Sequence, residues 1–282
     1  ILIMNFKQWL QNESAIELAR QYAKLLKPIP QDPKHHPEGD VLAHTLLVRR
    51  SIPQAIRKLL QLKTKEPWST ILQNIDVVPD SKQMQILKLA TWLHDIGKIP
   101  TTTITTDSGS RHWTEPGETG KIRSLRHEDP EYYQPEIDKL AGITPQEIKK
   151  TYDENKSLFD FLIQRHMDVS KGGFPKSFVA EYFKNGILVP DEKIKLLLIL
   201  IYSDKMGRKP QSQESIEKND QALIAASEKS KLNAEKNKKQ DFQTPEDMIK
   251  SLKMKNLPLN QIINAVKSKF PSENIDLLKG LS

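Results

Sequence analysis

A chain of 282 residues with 37% hydrophobic and 28% charged side chains can bury a sizeable core, which excludes a disordered or fibrous protein and fits one or two globular domains. Its longest apolar run, Leu196 to Tyr202, is far shorter than the about 20 residues of a membrane-spanning helix, so no membrane partner is expected. The absence of cysteine excludes disulfides and thiolate metal sites and fits a cytoplasmic protein, while a net charge of +7 favours anionic partners such as nucleotides or RNA.

Residues 1–10 carry Lys7 and lead into Glu13 and Glu17, unlike a secretory signal, and Met4 is a candidate start. Apolar residues recurring three and four apart predict helices over Asn5 to Leu26, Asp40 to Leu62 with a kink or break at Pro53, and Ser81 to His94. The same spacing predicts helices over Pro135 to Leu140, Pro145 to Tyr152, Leu158 to Met167, Pro175 to Asn185 and Asp191 to Lys205. Asp40, Asp80 and Thr144 stand where a helix N-cap is needed. No run of strand length alternates clearly, so the class expected is all-α. Pro100 to Arg123, rich in Thr, Ser and Gly, is expected to be a long loop. After a break at Lys209 to Glu214, Lys, Gln, Asn and Ala dominate to Gln240, which predicts a charged helix or a partly disordered linker. Apolar positions return at Met248, Leu252, Leu257, Ile262, Ile263, Val266 and Leu277. The expected organisation is a catalytic domain over 1–208, then a Lys-rich linker and a small helical C-terminal extension over 209–282.

The chemistry centres on His94-Asp95, which follows an apolar helix and precedes Ile96-Gly97-Lys98. An imidazole and a carboxylate presented together suit divalent ions such as Mn²⁺, Ni²⁺, Co²⁺, Fe²⁺ or Mg²⁺. An isolated His-Asp pair is more simply a helix end whose side chains bond each other. This pair is not isolated: His44 lies on an upstream amphipathic helix, and Asp204 ends an apolar helix that is otherwise buried. A buried carboxylate costs several kcal/mol unless a cation or donors compensate it.

The order His44, His94-Asp95, Asp204, each on a helix, resembles the HD superfamily of metal-dependent phosphohydrolases. His36-Pro37-Glu38-Gly39-Asp40-Val41, His44-Thr45, Leu93 to Lys98, Lys121-Ile122-Arg123, His127-Glu128, Arg165-His166-Met167 and Asp204 to Arg208 look like the HD domain of bacterial CCA-adding tRNA nucleotidyltransferases. The likeness spans about Asp32 to Arg208. Two departures stand out: Arg126 occupies the place of a Gly, and Pro130 follows shortly after. Nothing upstream of His36 offers the paired carboxylates of the nucleotidyltransferase head, so a free-standing HD protein is expected.

The resemblance implies an HD helical bundle in which His44, His94, Asp95 and Asp204 bind a first divalent metal. It implies that His127 and His166 either hold a second metal, with Asp95 bridging, or contact phosphate. Asp95, Lys98, His127 and His166 are then the catalytic candidates, and Lys98, Arg123, Arg126, Arg165 and Arg208 the phosphate-binding ones. Thr101 to Thr103 offer hydroxyls for a phosphate, His36 is placed to order the helix bearing His44 or to reach the site, and His35 and His112 are bystanders. The implied activity is that of a phosphatase or 2′,3′-cyclic phosphodiesterase acting on nucleotides or RNA ends. Alternatives are hydrolysis of a free deoxynucleotide, cyclic nucleotide or alarmone, or a non-catalytic nucleic-acid-binding module using Lys218 to Lys239.

Overall fold

The computed structural model describes residues 21–113, 120–141, 146–169, 173–208, 213–239, 245–254 and 258–269. It is mostly helical, and no helix among the described residues is long and apolar enough to cross a membrane. Of the helix expected over Asn5 to Leu26, only residues 21–26 are described, and they are helical. The chain divides into two compact units, Ile1–Ser230 and Lys231–Ser282.

Helix α1 (Val41–Leu62) starts where expected, Asp40 accepting from the Ala43 N–H at 2.7 Å, and it runs through Pro53 as one helix. Short α2 (Trp68–Ile71) leads to α3 (Ser81–Leu93), opened by a capping box in which Asp80 and Gln83 satisfy each other's backbone N–H groups. His94 caps the end of α3 and the chain turns at once into the single turn α4 (Lys98–Thr101).

The segment expected to be a loop forms a sheet instead. β1 (Thr102–Thr106) lies between β2 (Gly109–His112) and β3 (Lys121–Ser124), antiparallel to both, with Ile104 opposite Arg111 and Ile122. Four of the five residues of β1 are Thr, β-branched and suited to a strand. Only Ile104 among them is strongly apolar, and it is fully buried.

Helix α5 (Pro130–Ala141) begins five residues before the expected Pro135, with Pro130 at a first position where its missing N–H costs nothing. Then come α6 (Gln146–Glu154), α7 (Lys156–Arg165) and α8 (Lys176–Tyr182); the expected cap Thr144 lies outside the described residues. The helix predicted to Asn185 stops early, because β4 (Phe183–Lys184) and β5 (Ile187–Leu188) pair as a hairpin. Its turn, Asn185-Gly186, has φ of 51° and 83°, the positive values an Asn-Gly hairpin turn requires.

Helix α9 (Glu192–Met206) is buried along almost its whole length and packs chiefly on α1, so its near-continuous apolar sequence faces protein on all sides. Close approach of the two is built in at Gly207, where a Cβ would stand 2.7 Å from the Val48 backbone nitrogen. The Lys-rich stretch is helical, α10 (Gln213–Lys239), and its first half buries Ile216, Leu223 and Ala226 in the main core. The division between units therefore falls within α10, later than the expected 208/209. In the second unit α11 (Pro245–Met254) and α12 (Leu259–Lys269) bury Met248, Ile249, Ile262 and Val266; the apolar positions Leu257 and Leu277 lie outside the described residues.

Candidate metal centre

Four elements deliver side chains to one buried point. His44 comes from the first turn of α1, His94 and Asp95 from the end of α3, His166 from the end of α7, and Asp204 from the last turn of α9. His127 arrives differently, on the turn that follows β3. The sheet positions it: the Thr102 hydroxyl donates to the Lys98 carbonyl and meets the Ser124 hydroxyl, each at 2.7 Å, tying the strand that follows His94-Asp95 to the strand that precedes His127. Gly97 lets the two segments touch, since a Cβ there would lie 2.0 Å from the His127 carbonyl oxygen. Arg126, just before His127, has φ 61°, the left-handed conformation a Gly adopts without cost.

The imidazoles are all held by Nδ1. That of His94 faces the Thr91 carbonyl at 2.9 Å, that of His127 the Ser124 carbonyl at 2.9 Å and that of His166 the Ile163 carbonyl at 2.6 Å. A carbonyl only accepts, so each Nδ1 donates, and in the neutral ring Nε2 carries a lone pair. His44 Nδ1 is held by the Glu38 carboxylate at 2.8 Å. The four Nε2 atoms turn inward on two carboxylates. Asp204 Oδ1 lies 2.8 Å from His44 and 4.0 Å from His94, and Asp95 Oδ2 lies 3.7 and 3.4 Å from the same two. Asp95 Oδ1 lies 3.1 Å from His127 and 3.7 Å from His166, whose Nε2 atoms face each other at 3.4 Å. Asp95 thus turns one oxygen to each pair of histidines.

Both carboxylates are held ionised by the charges around them. Burial raises the Asp95 carboxyl, but Lys98 and the neighbouring imidazoles outweigh it and hold the group well below the carboxylate range. Asp204 behaves alike: burial raises it, while Arg208, His44 and Lys205 bring it well down. Burial lowers His44, yet Asp204 and Glu38 raise it overall. His94, lacking such close partners, is lowered by burial to about 4. Among the described residues His94 Nε2 and Asp204 Oδ2 are buried with no hydrogen-bond partner, although Arg208 lies 3.5 Å and Lys205 3.8 Å from that oxygen. Three sets of ligand atoms among the described residues are close enough to hold a metal ion: His44, His94 and Asp204; Asp95, His127 and His166; and His36, Glu38 and His44. Inward-facing imidazole nitrogens, ionised carboxylates and buried atoms without a hydrogen-bond partner are what a divalent cation satisfies.

A cavity of about 560 Å³ opens on the centre, bordered by Lys98, Lys121, Arg123, Lys205, Arg208 and Lys218 among others. Lys98 Nζ reaches Asp95 Oδ2 at 2.8 Å and the Gln31 side-chain oxygen at 2.6 Å. Of the cations expected to bind phosphate, Lys98, Arg123 and Arg208 border this cavity, whereas Arg126 and Arg165 do not. Arg126 is spent on exposed pairs with Asp129 and Glu131, and Arg165 pairs with Asp168. Thr101, Thr102 and Thr103 direct their hydroxyls to backbone carbonyls. His112 is an exposed bystander bonded to the Pro100 carbonyl, but His35 borders the cavity, and His36 borders it edge-on to His44.

Sequence reasoning missed Glu38, Gln31 and Lys205. Glu38 sits in a Pro-Glu-Gly run that signals a turn, and its link to His44 six residues on is made only by folding. Lys205, lowered by burial to about 8, is hidden in the sequence as one more Lys at a helix end. No protein-family model, curated protein or solved structure matches the chain.

Proposed function

We propose that this chain is a metal-dependent phosphohydrolase of the HD superfamily, acting as a phosphatase or cyclic phosphodiesterase on nucleotides or RNA ends. The observation that carries this reading is the convergence of four Nδ1-anchored imidazoles on Asp95 and Asp204 beneath a cavity bordered by cations. His44, His94, Asp95 and Asp204 would hold one divalent ion, and Asp95, His127 and His166 a second. Such an ion, whether Mn²⁺, Ni²⁺, Co²⁺, Fe²⁺ or Mg²⁺, supplies nucleophilic water near neutral pH and offsets negative charge on phosphoryl oxygens.

The chain's own residues do the rest. Arg208, which also lies 3.5 Å from Asp204 Oδ2, would offer its fork to phosphoryl oxygens, with Lys98, Lys205 and Arg123 as further positive charge in the same cavity. The Nδ1 contacts keep each ring from turning, so the ligand set is preorganised. The test is metal analysis of the purified protein, with hydrolysis of 2′,3′-cyclic nucleotides and p-nitrophenyl phosphate assayed with Mn²⁺, Ni²⁺ and EDTA. Turnover with metal and none with EDTA is expected; turnover of neither ester with any metal contradicts the reading.

A further inference from the structure

Asn219 is fully buried, and among the described residues neither the nitrogen nor the oxygen of its side-chain amide has a hydrogen-bond partner. It stands in the wall of the cavity over the metal centre. An unpaired buried amide costs free energy that a leucine of similar shape would not, so its presence in a ligand cavity calls for a ligand.

The backbone that carries Asn219 is fixed. Its neighbour Asp220 accepts from the Tyr202 hydroxyl at 2.5 Å and from Lys58 at 3.1 Å. Two turns further on, the Ser227 hydroxyl donates to the Gly186 carbonyl at 2.6 Å, and the Gly186 N–H donates to Ser230 at 3.3 Å. Helix α10 is thereby tied to α9, to α1 and to the Asn-Gly hairpin on either side of Asn219.

The same cavity wall holds Arg208, whose Nε is likewise buried without a partner among the described residues, together with Lys98 and Arg123. Those cations suit a phosphate; the Asn219 amide adds an oxygen acceptor, which a phosphate does not use. A planar amide with two N–H donors and an oxygen acceptor matches a neutral edge on which donor and acceptor are adjacent, as on a nucleobase. A cavity of about 560 Å³ accommodates a ligand carrying both groups.

We propose that Asn219 is a specificity-determining residue whose amide hydrogen-bonds the base of a nucleotide while the nucleotide's phosphate lies at the metal centre. The placing of the phosphate rests on the phosphohydrolase reading; the base contact does not. Binding would require a side-chain rotation that brings the buried amide to the cavity surface, the kind of adjustment that accompanies binding on a fixed backbone.

The experiment is calorimetric titration of the Mn²⁺-loaded full chain with the four nucleoside 5′-monophosphates, the nucleosides, ribose 5-phosphate and inorganic phosphate. Wild type is compared with Asn219→Leu and Asn219→Ala. At least one nucleotide is expected to bind about tenfold or more tighter than ribose 5-phosphate in wild type, and the gap closes to about twofold in both variants. Ribose 5-phosphate affinity and metal content stay at wild-type values, and Asn219→Leu melts no lower than wild type, a result that a merely structural asparagine would not give. The proposal is overturned if wild type shows no preference for any nucleotide over ribose 5-phosphate, or if both variants keep that preference. If phosphate and ribose 5-phosphate fail to bind while nucleosides bind in an Asn219-dependent way, the phosphohydrolase reading falls and the base contact stands. If nothing binds, both fall.

Discussion

Four rings enter the centre by the same atom because each has its other nitrogen tied down, and three of those ties are to a carbonyl three residues earlier in the chain. This geometry comes almost free at a helix end or tight turn, where the preceding carbonyls lack partners. His44 is the exception. It sits at the start of a helix, with no such carbonyl behind it, and takes the Glu38 carboxylate instead. Glu38→Ala should therefore lower metal affinity about 10- to 100-fold, read by metal titration, with the other ligands in place. Wild-type affinity in that variant would show that His44 needs no support. At this scale the convergent side chains were legible in the sequence, since His and Asp at helix ends advertise themselves. Glu38 and Gln31 were not, because their partners are set by the fold.

At the scale of elements, the sheet carries His127 to Asp95, although its sequence looks like a polar loop. Strand signals rest on alternation of apolar and polar residues, and in Thr102 to Thr106 a single Ile and the β-branching of Thr are all the signal there is. The Asn185-Gly186 hairpin had a clearer signature, masked by the helical spacing that precedes it. Gly97→Ala tests the sheet's role. The added Cβ meets backbone at 2.0 Å, so it should destabilise the fold by about 1–3 kcal/mol in denaturant unfolding and weaken metal binding at the His127 side. Helix α10 meets α9 through the Tyr202 hydroxyl, which burial and the facing Asp220 carboxylate hold protonated well beyond the ordinary tyrosine range. A raised folded-state pKa keeps its full stability below the unfolded value of about 10 and loses it as pH rises above that. Thermal midpoints should therefore fall above about pH 10, and Tyr202→Phe should cost about 1 kcal/mol at neutral pH while flattening that alkaline fall. An unchanged alkaline slope in Tyr202→Phe would remove Tyr202 from the effect.

On the scale of the whole molecule, every residue of the centre and its cavity belongs to the first unit, and that unit extends into α10. The sequence places the boundary where composition turns Lys-rich, but composition is blind to the apolar face of Ile216, Leu223 and Ala226. A chain ending after Ser230 should keep metal binding, whereas one ending at Arg208 should unfold at lower temperature, because it strips those side chains and the Asp220 contacts from the core. Equal melting of the two would contradict that assignment. Metal is expected to stabilise the whole first unit, by about 2.7 kcal/mol at a free concentration near 100 times its dissociation constant.

The imidazoles of His44, His94, His127 and His166 gather with Asp95 and Asp204, a ligand set that could hold divalent metal. Calorimetric titration of Mn²⁺ into the metal-free protein tests it most directly. Saturable binding is expected in wild type and in His112→Ala, and none in Asp95→Ala. No saturable binding in wild type, or undiminished binding in Asp95→Ala, would contradict it.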